Sequence, residues 1–118
     1  MTVCCVYVGD IDDPTFKWKG GDWNGNVPAR LSPMFPPLRG AYNAVFHDWL
    51  GTKGIECEQT DFGGWVARVT KSQIVDFIAD AYRGDENLPW VAHDLPALKR
   101  FVETLQDGHD YGLVATEW

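Results

Sequence analysis

The chain has 118 residues, a net charge of −7 from 10 basic and 17 acidic side chains, and 45% hydrophobic residues, six of them tryptophan. That length and apolar content predict one domain, residues 1–118, with a packed core, and they exclude intrinsic disorder. No apolar run approaches the roughly 20 residues that span a bilayer, and an acidic chain repels phosphate backbones and anionic lipid, so neither membrane insertion nor direct nucleic-acid binding is expected.

The N-terminus, MTVCCVYVGD, lacks the basic and small-residue features of a signal peptide, which predicts a cytoplasmic location. Its run 2–8 is short, apolar and β-branched, as in a buried strand. Cys4, Cys5 and Cys57 form no CxxC, and adjacent strand residues point to opposite faces. They read as free thiols rather than metal ligands, and no cofactor is expected.

Residues 10–40 hold five of the seven prolines and no sustained period of 2 or 3.6. Loops of that length inside small domains are uncommon and tend to be functional or mobile. The segment predicts an irregular excursion pinned by Phe16, Trp18, Trp23, Met34 and Phe35, with a short strand around residues 15–19. Tyr42, Val45, Phe46, Trp49 and Leu50 then recur as one helical stripe, with Gly51 and Gly54 as candidate stops. Residues 55–59 and 65–69 alternate as the arms of a hairpin turning through 61–64.

Thr70 and Gln73 have the spacing of a capping box, and Val69 can pack on Ile74 as a hydrophobic staple. Ile74, Phe77, Ile78, Ala81 and Tyr82 make the apolar face of this second helix, which Gly84 closes. A third helix carries Leu95, Leu98, Phe101, Val102 and Leu105, with Asp94 as its N-cap and Pro96 in its first turn. Residues 111–118 alternate as a last strand. The order predicts an α+β two-layer fold, three helices on one face of a mostly antiparallel sheet of about four strands.

All three histidines precede aspartate, in His47-Asp48, His93-Asp94 and His109-Asp110. Metal phosphohydrolases of the HD superfamily also use His-Asp, but on an all-helical scaffold; here the pairs fall on three kinds of element, and capping and turn formation explain them. Asp10, Asp12 and Asp13 follow the first strand, where carboxylates commonly hold Mg²⁺. The run is one residue longer than the DxDxT of haloacid-dehalogenase phosphatases, and turn formation competes as its reading. Residues 19–26 are glycine-rich yet lack the Lys-Ser/Thr of a phosphate cradle.

The strongest pointer is towards binding. Trp18, Trp23, Arg30, Phe35 and Arg39 put aromatic and guanidinium groups on the long loop, the residue types enriched at interface hot spots. Asp76, Asp80, Asp85 and Glu86 would steer a basic protein partner. The leading expectation is a small acidic non-enzymatic module that docks on a protein. By analogy alone, bacterial or phage immunity proteins and defence inhibitors are of this physical type. The rivals are a Mg²⁺-dependent hydrolase using Asp10 and Asp12, and a small-ligand site between the long loop and the sheet.

Overall fold

The computed structural model describes residues 4–16, 27–38, 44–60 and 64–117. Along the chain run β1 (Cys4–Asp10), β2 (Ala29–Arg30), α1 (Ala44–Lys53), β3 (Cys57–Gln59), β4 (Trp65–Thr70), α2 (Lys71–Ala81), α3 (Pro89–Glu103) and β5 (Asp110–Glu117). The five strands form one sheet in the order β2-β1-β5-β4-β3, and every neighbouring pair is antiparallel. The expected α+β class holds, with a fifth strand.

The apolar strands β1 and β5 sit inside the sheet because both of their faces are covered. Val6, Val8, Ala67, Val69, Leu113 and Ala115 face the helices and join their buried side chains in the main core. Tyr7, Val66 and Val114 point the other way and meet Phe16, Ile11 and Val27 in a second, smaller cluster. The two-layer expectation is thus amended: residues flanking β1 and β2 cover the face that the helices leave.

α2 forms as its sequence dictates. The Thr70 hydroxyl accepts from the Gln73 N–H and the Gln73 side chain accepts from the Thr70 N–H, satisfying two donors that the helix itself cannot. Ile74, Phe77 and Ile78 are buried along its inner face. The Phe77 ring meets Phe35, Phe46 and Trp49 at centroid distances of 6.0, 5.7 and 5.1 Å, tying α1 and α2 together. α1 runs through Gly51, which the sequence offered as a stop. It ends at Gly54, whose φ of 68° is open to glycine, and the Ile55 N–H then donates back to the Leu50 carbonyl.

α3 begins six residues before its expected start. Its N-cap is Leu88, Pro89 occupies the first turn, and both Asp94 and Pro96 lie inside the helix. Asp94 is therefore no cap; its carboxylate lies 2.7 Å from Nδ1 of His93 on the exposed surface. Buried Val91 extends the stripe of Leu95, Leu98 and Val102 by a full turn, and the helix runs on through the interior proline. Pro96 and Ala92 are both exposed, so water can reach the carbonyl that the proline leaves unbonded.

The strand expected around residues 15–19 falls mostly outside the described residues, its residues 15 and 16 are not in a strand, and β2 lies further on. From there the chain follows the free edge of β1. Leu31 and Ser32 both donate to the Val8 carbonyl, Phe35 donates to the Val6 carbonyl, and the Val8 N–H donates to Ser32 Oγ at 2.8 Å. On the sheet face away from the helices, Tyr7 donates to the Pro28 carbonyl at 3.1 Å; on the helix side Tyr82 donates to the Pro36 carbonyl at 2.6 Å. Residues 28–36 thus pass round the sheet edge from one face to the other. Gly9 and Gly112, cross-strand partners, make room for this: a Cβ on Gly9 would lie 2.6 Å from Pro28 Cβ, and one on Gly112 would lie 2.7 Å from Ile11 Cγ2.

Each tyrosine hydroxyl satisfies a carbonyl out of reach of water, so Tyr7→Phe and Tyr82→Phe should each cost about 1–3 kcal/mol in urea unfolding. A loss below about 0.5 kcal/mol, the level of ordinary surface changes, would mean that the carbonyls have other partners.

Candidate functional site

The carboxylates after β1 are engaged locally. Asp10 Oδ1 accepts from the Asp12 N–H, and Asp13 Oδ1 accepts from both the backbone N–H and hydroxyl of Thr15. Those Thr15 bonds hold the Asp13 carboxyl below its ordinary pKa. Asp12 Oδ2 lies 3.0 Å from Nε2 of His109, joining the loop after β1 to the one before β5. Asp110 meanwhile accepts from Arg68 at 2.8 Å across the sheet. Asp10 and Asp12 therefore serve turns and a surface pair, and no group of three or more His, Cys, Asp or Glu side chains gathers for a metal among the described residues.

The thiols carry the opposite of an activated signature. Burial pushes up the pKa of Cys5, and burial followed by the charges of Glu58 and Glu56 does the same for Cys57. Both are held as thiols.

The acidic residues expected to steer a partner divide. Asp76 and Glu86 are exposed, whereas Asp85 is only 6% exposed. Asp80 ties α1 to α2: Oδ2 accepts from the Trp49 indole at 2.9 Å and lies 3.7 Å from Lys53, and Oδ1 accepts from Arg83 at 2.8 Å. The indole bond is the main cause of a pKa below the ordinary carboxylate value, with Lys53 and Arg83 acting the same way against partial desolvation. Asp80 and Asp85 thus belong to the scaffold more than to a surface field.

The loop residues divide as well. Trp18, Trp23 and Arg39, with the predicted turn 61–63, lie outside the described residues. Phe35 is 5% exposed and packs on Phe77, so it is part of the core. Arg30 is exposed on β2 and partly offsets the burial that raises the Tyr7 hydroxyl to about 12.

Among the described residues, the large apolar side chain left most open is one that the sequence reading does not single out. Trp90, in the first turn of α3, is 53% exposed beside a hollow of about 480 Å³ lined by Pro37, Leu38, Leu88 and Val91. The Asp85 side chain closes one side of this hollow. The signal was present in the sequence: Trp90 lies off the stripe of Val91, Leu95, Leu98 and Val102. A helix that starts at residue 95 leaves Trp90 outside it; α3 in fact begins at Pro89.

Asp80 also sets a pH dependence. Its pKa is lowered by folding, so its contribution is present above the unfolded carboxylate value, about 3.9, and disappears as pH falls through the lower folded value. Urea titrations of wild type and Asp80→Asn should differ near neutral pH and converge in acid. A stability gap independent of pH would show that the Asp80 charge is not what matters.

In comparisons with protein-family models, curated proteins and solved structures, nothing matches the chain.

Proposed function

We propose that the protein is a non-enzymatic binding module that docks on a basic protein partner, with Trp90 as the anchor. The observation that carries this reading is a half-exposed tryptophan next to an apolar hollow. Such a pair offers both halves of a hot spot, a side chain to insert and a recess to fill. The backbone beneath it is hydrogen-bonded: Leu88 donates to the Asp85 carbonyl, and Val91 and Ala92 donate to that of Leu88. Ordering the surface on binding therefore loses little entropy. Exposed Glu86 is close in sequence, and residues 60–118 carry ten acidic against five basic side chains. That field speeds encounter with a basic surface.

Support for the absence of catalysis comes from the candidate chemical groups. Asp10 and Asp13 accept bonds from their own loop, Asp12 pairs with His109, and burial raises the pKa of the two described thiols. The small-ligand alternative placed its pocket between the long loop and the sheet. There Phe16, Ile11 and Val27 pack directly on Tyr7, Val66 and Val114.

The test is affinity capture from cells that encode the chain, using wild type and Trp90→Ala as baits of equal thermal stability. A bound protein should be lost from the variant by a factor of about thirty or more, as for a hot-spot side chain, and should elute with moderate salt. Identical proteins on both baits would remove Trp90 from the interface.

A further inference from the structure

α2 and α3 pack antiparallel, since Lys71 at the start of α2 donates to the Glu103 carbonyl at the end of α3 at 3.3 Å. Between them on the outer surface runs a groove of about 310 Å³, near the lower bound for small-molecule sites. It shares no residue with the Trp90 hollow and does not rest on the docking reading. Its floor is apolar, built from Val75, Ile78, Tyr82, Leu95 and Val102, and Val75 is 48% exposed there.

The charges along the groove differ. Lys71 and Glu103 meet where α2 begins and α3 finishes, with Lys99 one turn back along α3, whereas Glu86 follows the far end of α2. Lys71 is held in place by the Glu103 carbonyl and keeps further N–H donors. Lys99 is exposed and makes no ion pair among the described residues. The first end is therefore cationic and the second anionic, separated by a hydrocarbon surface.

We infer that this groove binds a small amphiphilic carboxylate, its head between Lys71 and Lys99 and its alkyl or aryl body along Val75, Ile78 and Leu95. Two ammonium groups supply charge-assisted bonds to the two carboxylate oxygens. The apolar body covers side chains otherwise in water, and Glu86 repels a head group seated in reverse. An uncharged amphiphile of the same length brings no opposite charge to the lysines, and a cationic one meets only the single carboxylates Glu86 or Glu103, the latter beside two ammonium groups, so both bind more weakly.

The experiment compares monomeric decanoate, decanol and decylamine by calorimetry and thermal shift on the full chain. Decanoate should bind most tightly of the three and raise Tm most, because a ligand of the folded state stabilises it by mass action. Lys99→Glu should weaken decanoate at least tenfold while leaving the unliganded Tm unchanged, and Lys99→Arg should restore binding. The inference is overturned if decanoate does not bind, if decanol or decylamine binds as tightly, or if Lys99→Glu binds as wild type does. Tighter binding to anionic lipid vesicles than to free decanoate would also overturn it, by making the groove a membrane contact.

Discussion

The edge of β1 is the constraint on which the rest of the structure depends. A strand with unpaired N–H and C=O groups on one side invites pairing with another chain. Here two-residue β2, then Leu31, Ser32 and Phe35, take up that edge. Ser32 stands in for a backbone group, accepting from the Val8 N–H while donating to the Pro33 carbonyl at 2.8 Å. A proline-rich segment cannot form a regular ladder, because each proline removes a donor. A serine hydroxyl and a few well-placed amides replace one.

Once that segment is fixed, both faces of the sheet close. Pro28 and Ile11 settle over the Gly9–Gly112 pair on one side, and Phe35 enters the main core on the other. Tyr7 and Tyr82 hold the two ends. What remains for function is what this wrapping leaves outside. Trp90 beside its hollow and the groove between α2 and α3 both lie on helices whose inner stripes are already buried.

The sequence was legible wherever structure is made by near neighbours. The Thr70–Gln73 box, the Ile74–Tyr82 face, the β3–β4 hairpin and the last strand each rest on spacings of a few residues, and each is present. It misled where two local signals compete. Leu88-Pro89 and Leu95-Pro96 both resemble a helix start, and only the burial of Val91 against distant elements selects the first. The wrapping segment was illegible for a different reason. Its bonds to Val6 and Val8 follow no period, and the contact of Phe35 with Phe77 joins residues far apart in the chain. An aromatic on an irregular stretch looks the same whether it serves a partner or the core. Asp80 is a similar case: a helix-surface aspartate is expected to face water, and its indole partner comes from another helix.

Amide hydrogen exchange resolved to single residues tests the wrapping most directly. If residues 29–35 belong to the sheet, the amides of Leu31 and Phe35 exchange only with opening of β1, as slowly as those of β1 and β5 that pair with each other. Exchange at the rate of an open loop, with the β1–β5 amides still protected, would contradict that account and return the segment to the solvent as a free binding loop.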